Sequence, residues 1–201
     1  MDFDNTIVCY DDLFHAVALE RGLIPADLPV RKTAVHNYLH ETGRPSAWTE
    51  LQSVVYGERL LEAAPFPGAL EFIRTCRRSG IAVRIVSQKT RYPYLGGRHD
   101  LHARAHQWLA DAGFYDRARA GLLPQDVYFE ATLQDKLERV RELRCDVFVD
   151  DLTKVLLAAE FPQGVERVLF DPYSEAPSGW QFPRVCSWLE AQQSVLYEAA
   201  A

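Results

Sequence analysis

The sequence predicts an α/β fold, a doubly wound parallel sheet with helices on both faces and a small α-helical cap. Short apolar runs rich in β-branched residues alternate along the chain with amphipathic helical segments. This alternation is typical of parallel strands joined by crossover helices. The chain has 201 residues, of which 48% are hydrophobic and 25% are charged. That length and composition suffice for one substantial core and a small second lobe.

The elements of the core are predicted mainly from the region after residue 65. The predicted helices span about 68–79, 133–143, 153–160 and 183–197, and the predicted strands span 81–86, 145–149 and 167–170. Gly80 is placed to end the first of these helices, since glycine readily adopts the left-handed conformation of a helix C-terminus. Each helix thus leads towards a strand, as a doubly wound sheet requires.

A first insertion interrupts this pattern between about residues 11 and 64. It reads as helical throughout, with Asp11 and Asp12 in a first turn and with prolines at positions 25, 29 and 45 as breaks between helices. Residues 65–68, with the sequence Pro-Phe-Pro-Gly, form the expected return hinge. A helical block at this point would cover the carboxyl ends of the strands, where open α/β sheets bind ligands. We therefore expect it to act as a lid.

A second insertion extends from residue 88 to about residue 128. Its first part, residues 89–99, is polar, and its second part is predicted to form a helix near 101–112. Loops of this length inside compact domains are usually functional or disordered. We therefore assign residues 1–10 and 65–201 to an α/β core domain and residues 11–64 to a helical cap inserted in it.

The charge balance of the chain excludes several classes of partner. A net charge of −6 and a pI near 5.5 argue against nucleic-acid binding, because affinity for the phosphate backbone depends on surplus Lys and Arg. No apolar run approaches the roughly 18 residues that span a bilayer, and the acidic start lacks the features of a signal peptide. The four cysteines are widely spaced, which favours buried free thiols over zinc or disulfides. We expect a cytoplasmic protein without membrane or nucleic-acid partners.

The run Asp2-Phe3-Asp4-Asn5-Thr6 places two carboxylates and a hydroxyl within one tight turn. Such a turn can supply a nucleophile for phosphorus, a proton shuttle and ligands for a hard cation. The same short run can equally form an Asx turn or cap a helix. The run alone therefore leaves both interpretations open.

Three further signals follow in order along the chain: Ser87 after Ile85-Val86, then Lys136, then the pair Asp150-Asp151 after Val147-Phe148-Val149. The first turn, Ser87 and the acidic pair each lie where an apolar strand ends or should end. Because the carboxyl ends of parallel strands share one edge of a sheet, these residues would meet there. The ordered set is much more specific than any one of its members.

With these residues the chain resembles the haloacid dehalogenase (HAD) superfamily of phosphatases, whose four motifs have the same residue types in the same order. The resemblance covers nearly the whole chain and implies a Rossmann-like core with a helical cap after the first motif. It implies that Asp2 is the nucleophile and forms an aspartyl-phosphate, and that Asp4 protonates the leaving group and then activates water. It also implies that Ser87 and Lys136 bind the phosphoryl group.

A Mg²⁺ site is the remaining implication of the resemblance. Asp150 would complete this site together with the carboxylate of Asp2 and the backbone carbonyl of Asp4, and Asp151 would be a supporting or alternative ligand. The two acids at 150 and 151 could instead cap the helix predicted from residue 153. A cation is the better explanation, since paired carboxylates at the end of an apolar strand are costly without one.

Each of the other assignments also has an alternative. Ser87 could cap a turn after its strand, and Lys136 could be a solvated lysine between Asp135 and Glu138. Lys89, two residues after Ser87, competes with Lys136 for the role of the catalytic cation. We prefer Lys136 because the family places its lysine at the start of the helix before the last acidic strand.

One departure from the family concerns the start of the chain. The resemblance places Asp2 at the end of the central strand, but only Met1 precedes it here. A start upstream of Met1, or a truncated form with a gap in the sheet, would explain this departure. We favour the upstream start.

The residues of the motifs restrict the class of reaction more closely than they restrict the substrate. Asp4 argues against dehalogenation, because the resemblance associates this second aspartate with phosphoryl transfer. No lysine of the cap except Lys32 is a candidate for the Schiff base of a phosphonate hydrolase. We therefore expect a Mg²⁺-dependent phosphatase for a small phosphorylated metabolite, a sugar phosphate or a nucleotide, since a closed lid excludes bulky substrates. A non-catalytic ligand-binding domain and a phosphotransferase of the same fold remain alternatives.

Several polar residues are candidates for contacts with the substrate. We expect Thr6, Lys89, Arg91 and Arg98 to contribute. The weaker candidates are Tyr94, His99, His15, His36, Tyr38, Arg44 and Trp48. For each one taken alone, packing inside the cap or solvation in a loop is the simpler explanation. The sequence does not indicate the oligomeric state.

Overall fold

The computed structural model describes residues 1–198 and has an α/β fold with parallel sheets, as predicted. The helices are α1 (Asp11–Glu20), α2 (Lys32–Glu41), α3 (Pro45–Ser53), α4 (Ala69–Arg78), α5 (Leu101–Asp111), α6 (Leu133–Glu142), α7 (Thr153–Leu156) and α8 (Trp188–Glu198). The strands are β1 (Val8–Cys9), β2 (Ala64–Pro65), β3 (Ile85–Gln88), β4 (Val127–Glu130), β5 (Val147–Asp150), β6 (Glu166–Phe170) and β7 (Arg184–Val185). None of the helices in this part of the chain is long and apolar enough to span a bilayer.

The first two residues of the chain join two groups of parallel strands. Strand β3 pairs with β4, and β5, β6 and β7 pair in that order. Between the two groups, the carbonyl of Met1 accepts a hydrogen bond from the amide of Val86 at 2.9 Å, and the amide of Asp2 donates to the carbonyl of Val149 at 2.9 Å. Asp2 therefore lies in the middle of the layer, between β3 and β5.

Both faces of this layer are buried, as expected for a doubly wound sheet. In β6, Val168 and Phe170 belong to the apolar cluster beneath α4, α5 and α8, whereas Leu169 belongs to the cluster beneath α6 and α7. Successive side chains of a strand point to opposite faces, so this alternation shows that helices cover both sides. On the first face, Trp188 of α8 stacks on Phe170 with ring centroids 5.1 Å apart.

A cavity of about 390 Å³ lies next to Met1, between residues 80–84 and 143–147. Residues 81–83 have no strand partner within residues 1–198, because the first contact of Met1 with this segment is the hydrogen bond from its amino group to the carbonyl of Arg84 at 2.9 Å. The predicted strand at 81–86 therefore begins late, at Ile85. A strand preceding Asp2 remains an expectation from the resemblance.

Other boundaries also differ from the prediction. Strand β4 lies within the segment that was assigned to the second insertion, and β7 was not predicted at all. Both are short, with only four and two residues, so their apolar patterns are weak. The helix predicted near 153–160 is confined to α7, and the last helix begins at Trp188 rather than near residue 183.

The segment between β1 and β2 contains α1, α2 and α3, followed by one π-helical turn (Val54–Glu58) and one 3₁₀ turn (Leu60–Glu62). Strands β1 and β2 pair in antiparallel orientation and form the stem that connects this helical segment to the sheet. Its interior includes Phe14 stacked on Trp48, with ring centroids 4.8 Å apart. Residues 21–31 are not helical, contrary to the prediction, because Gly22 ends α1 with φ +63° and two prolines follow.

Candidate active site

Four of the predicted site residues are buried at the carboxyl edge of the sheet. Asp2 lies between β3 and β5, Ser87 lies near the end of β3, and Asp150 is the last residue of β5. Lys136 lies in the first turn of α6, which is fixed because the Thr132 hydroxyl accepts a hydrogen bond from the Asp135 amide. The relative exposure of these four residues is 4% or less.

Lys136 connects the two carboxylates on either side of it. Its Nζ donates to Oδ1 of Asp2 and to Oδ2 of Asp150, in both cases at 2.6 Å. An ammonium held between two buried carboxylates is strongly constrained, because all three groups are removed from water. Lys136, rather than Lys89, therefore contacts the predicted nucleophile.

The carboxylates at the end of β5 are perturbed by their surroundings. Burial raises the pKa of Asp150 to about 6; Lys136 opposes the shift and the charge of Asp2 adds to it. Burial, together with the charges of Asp150 and Asp2, raises the pKa of Asp151 well above its usual range. The hydroxyl of Thr6 donates to Asp151 at 3.3 Å. Burial and the repulsion between these acids therefore both disfavour the charged forms of Asp150 and Asp151.

Asp4 is held by a different set of donors. The hydroxyl of Tyr10 donates to its Oδ1 at 2.5 Å, and Nζ of Lys89 lies 3.0 Å from Oδ1 and 2.9 Å from Oδ2. The ammonium of Lys89 also lies 4.7 Å from the centre of the Tyr56 ring, which is a cation–π contact. These contacts fix the direction of the Asp4 carboxylate at the edge of the site.

Lys32, from the first turn of α2, brings a third ammonium to this region. Its Nζ lies 5.7–5.8 Å from the ring centres of Tyr10, Phe14 and Tyr56. Burial by itself would lower the pKa of Lys32, but Tyr56 and the charges of Asp151 and Asp4 outweigh it and raise the pKa. Lys32 therefore lies in the same region as the carboxylates of Asp4 and Asp151.

The residues present fit a hard cation through two carboxylates rather than three. Within residues 1–198, no group of three or more His, Cys, Asp or Glu side chains is arranged to hold a metal ion. The ligand predicted from Asp4 is its backbone carbonyl, which the ion pair between its carboxylate and Lys89 does not involve. The two buried carboxylates are those of Asp2 and Asp150, which share Lys136, and Oδ1 of Asn5 is buried without a hydrogen-bond partner within residues 1–198. Oxygen donors of this kind are those that Mg²⁺ prefers.

A cavity of about 170 Å³ adjoins Asp4 and Lys89. Its other walls come from α3 with the turn after it and from the loop after β3. Most of the lining side chains carry hydroxyl or amide groups: Thr49, Gln52, Ser53, Tyr56, Gln88, Thr90 and Tyr94. The Oγ of Ser53 is buried and forms no hydrogen bond within the described residues. The cavity therefore presents neutral hydrogen-bonding groups beside the carboxylate of Asp4.

The remaining predicted substrate residues lie elsewhere. Arg91 is 65% exposed and pairs with Asp100, and the guanidinium of Arg98 lies 5.5 Å from the centre of the Tyr92 ring. Neither arginine lines the cavity beside Asp4. Of the weaker candidates only Tyr94 lines it; His15, His99, His36, Tyr38, Arg44 and Trp48 have contacts elsewhere.

Sequence reasoning missed the polar face of α3. Positions 49, 52, 53 and 56 are spaced at i, i+3, i+4 and i+7, which places them on one face of a helix. This polar stripe is visible in the sequence, but nothing in the sequence shows that it faces Asp4 rather than solvent. Tyr10, which bonds to Asp4, was missed because its apolar ring is typical of a core residue.

These observations define a class of structure, an α/β sheet with buried acids at its carboxyl edge. Three solved structures resemble it. A HAD family hydrolase from Deinococcus radiodurans R1, with bound phosphate and sodium, is 18% identical with a TM-score of 0.56 over 99% of this chain and 94% of its own. A Had-superfamily hydrolase from Ehrlichia chaffeensis is 13% identical with a TM-score of 0.52, over 98% and 94%. CbbY from Rhodobacter sphaeroides, in complex with phosphate, is 16% identical with a TM-score of 0.51, over 94% and 93%.

The chain therefore has the fold of the HAD-superfamily hydrolases, as the four motifs suggested. No protein-family model matches the chain, and no curated protein matches it in sequence. At these low identities the likeness concerns the fold, and the chemistry has to be argued from the site itself.

Proposed function

We propose that this protein is a Mg²⁺-dependent phosphatase that hydrolyses a small phosphorylated metabolite through an aspartyl-phosphate. The observation that carries the proposal is the buried arrangement in which Lys136 holds Asp2 and Asp150 at 2.6 Å each. Phosphoryl transfer requires mainly an in-line nucleophile and positive charge around the phosphoryl oxygens. Asp2 supplies the nucleophile, and Lys136 supplies charge next to it.

The steps follow from the positions of the side chains. The Oδ1 atom of Asp2 is bound by Lys136, so its other carboxylate oxygen attacks phosphorus and the bond to the leaving oxygen breaks. When its carboxyl group is protonated, Asp4 gives that proton to the leaving oxygen, and the carboxylate that results then takes a proton from the water that hydrolyses the aspartyl-phosphate. The hydroxyl of Ser87 donates to a phosphoryl oxygen. Tyr10 and Lys89 keep the carboxylate of Asp4 in position throughout.

A cation completes the charge balance of this site. Asp2 and Asp150 would hold Mg²⁺, and the ion would neutralise charge on the phosphoryl oxygens when bound. Burial raises the pKa of Asp150 to about 6, and a cation bound there would favour the charged form of the carboxylate that burial penalises. Asp151, whose carboxylate accepts a hydrogen bond from Thr6, would be a supporting or alternative ligand of the same ion.

The cavity beside Asp4 favours a sugar phosphate over a nucleotide. Its volume of about 170 Å³ is small, and ligand pockets for larger molecules usually measure about 300–1,000 Å³. Hydroxyl and amide side chains from α3 and from the loop after β3 match the hydroxyl groups of a sugar or polyol. Lys89 is the only cationic residue among the residues lining this cavity, so a second phosphate group would have little to bind.

The proposal is tested by phosphate release from p-nitrophenyl phosphate with and without Mg²⁺. We expect activity that is lost on chelation and in Asp2→Asn, which keeps the shape of the side chain but removes the nucleophile. A matched control is Asp12→Asn, an exposed aspartate in α1, which should retain full activity. Turnover in Asp2→Asn equal to that of the wild type would refute the assignment of Asp2.

The same assay separates the alternatives. Release of nitrophenol without an equal amount of free phosphate, when a sugar is present, would indicate a phosphotransferase. Binding of phosphate esters without any turnover would indicate a ligand-binding domain. A panel of sugar phosphates and nucleoside monophosphates would then test the preference for polyols.

A further inference from the structure

A cavity lined by arginines lies on the surface formed by α4 and residues 117–123, which follow α5. Its volume is about 350 Å³. Five guanidinium groups surround it, those of Arg74, Arg77, Arg78, Arg117 and Arg119. None of its lining residues is acidic, although the whole chain has a net charge of −6. Positive charge is therefore concentrated at this one place in an acidic protein.

This arginine cavity is separate from the candidate active site. Arg77 and Arg78 end α4, ahead of β3, and Leu123 precedes β4. Both strands run in parallel, so these residues lie towards the amino edge of the sheet. The acids and Ser87 lie at its carboxyl edge. A ligand in the arginine cavity would not occupy the site beside Asp4.

Three of the five arginines have no charged partner within the part of the chain that the structure describes. Arg78, Arg117 and Arg119 form no side-chain ion pair or hydrogen bond within residues 1–198. Arg77 lies 3.5 Å from Asp126, which also pairs with Arg84, and Arg74 pairs with Glu71 of its own helix. Like charges gathered without carboxylates repel one another, and a bound anion relieves that repulsion.

The backbone leaves room for these side chains. Gly113 has φ +84°, and a Cβ atom at this position would collide with the guanidinium of Arg119. Gly121 has φ +67°, and a Cβ atom there would lie 3.7 Å from Nε of Arg77. The neighbours of the two loop arginines are short: Ala118 lies between them and Ala120 follows Arg119. Small residues therefore lie among the arginines, and the glycine at position 113 is needed for the observed position of the Arg119 guanidinium.

We propose that the arginine cavity binds a small anion that carries two or more phosphate groups. A guanidinium donates two parallel hydrogen bonds to a phosphate, so several arginines around one concavity suit a ligand with several such groups. A concavity of about 350 Å³ suits a small molecule. The negative net charge of the chain opposes binding to a long nucleic acid.

Calorimetric titration of the full chain with inorganic pyrophosphate, in the presence of a chelator, tests this proposal. The site variant is Arg117→Ala/Arg119→Ala. The control is Arg21→Ala/Arg144→Ala, which changes the net charge equally at two exposed arginines outside the cavity. We expect the site variant to bind pyrophosphate at least about tenfold more weakly than the wild type, because bonds between charged groups are lost. The control should stay within about twofold, since distant surface charges are screened.

Any pyrophosphate binding at the active site is common to all three proteins, so the difference between them reports on the arginines. The activity of the site variant towards p-nitrophenyl phosphate should equal that of the wild type. Three results would overturn the proposal: no binding by the wild type, equal binding by the site variant, or an equal loss in the control. Tighter binding of a single-stranded oligonucleotide than of pyrophosphate would also overturn it, in favour of a nucleic acid.

Discussion

Replacing Lys136 by methionine should destabilise the protein severely and in a pH-dependent way. The side chain is 1% exposed, and its Nζ lies 2.6 Å from a carboxylate oxygen on each side. Methionine keeps the approximate volume but leaves the charges of Asp2 and Asp150 without their shared partner. Breaking a buried ion pair from one side typically costs about 3–5 kcal/mol. We expect a loss in this range at pH 8.

The pH dependence follows from the carboxylates. The pKa of Asp150, already raised to about 6, should rise further in Lys136→Met, so the folded variant binds more protons than the unfolded chain up to a higher pH. A folded state that binds more protons loses stability as pH rises. The loss caused by the substitution should therefore be smaller at pH 5 than at pH 8.

Urea unfolding at pH 5 and pH 8, with a chelator present, measures both effects. Lys154→Met, at an exposed position in α7, is the control and should change the free energy of unfolding by less than about 0.5 kcal/mol. The double variant Lys136→Met/Asp150→Asn should regain part of the lost stability, because one uncompensated charge is removed. A loss below about 1 kcal/mol at pH 8 would contradict the reasoning, as would an equal loss at the two pH values.

Three other substitutions test further features. Ser53→Ala should raise the free energy of unfolding by about 1 kcal/mol, since it removes a buried hydroxyl without a partner, and should raise KM if that hydroxyl binds substrate. Gly68→Ala should lower the free energy of unfolding by about 1–2 kcal/mol or more, because Gly68 has a positive φ. The loss should exceed that of Gly164→Ala, since Gly164 also has a positive φ but only a Cβ atom at Gly68 would lie 3.2 Å from Trp188. Burial lowers the pKa of His106 below 6.5. The unfolded chain therefore binds a proton first as pH drops through 6.5, and the stability of the folded protein should fall there. Thermal unfolding between pH 5 and pH 8 measures this fall, which should be smaller in His106→Gln.

The parts of the fold that could be predicted are those in which local pattern and packing agree. Helices α4 and α6 were predicted to within one residue, because each has an apolar stripe and a defined stop or cap. Strand β4 was missed because its pairing with β3 is a long-range contact that a four-residue pattern does not indicate. Strand β3 begins at Ile85, because its pairing with β4 begins there.

The candidate site also has a part that the sequence predicts and a part that it does not. Motif order was sufficient to predict that Asp2, Lys136 and Asp150 lie together, because the parallel sheet brings strand ends to one edge whatever the loop sequences are. The lining of the cavity beside Asp4 was not predictable, because its position depends on how the helical segment lies over the sheet. Arg91 is near Ser87 in sequence, but its exposed side chain pairs with Asp100 and does not line the cavity beside Asp4.

The position of Lys32 indicates why the helical segment and the carboxylates of the sheet depend on each other. Lys32 belongs to α2, yet its ammonium is stabilised by the charges of Asp151 and Asp4. Its surroundings are otherwise aromatic rings, which cannot replace water around an ammonium at low cost. Moving α2 away would return this ammonium to water but would leave the two carboxylates with less positive charge. The negative charge at the sheet edge therefore favours the arrangement in which the helical segment covers it.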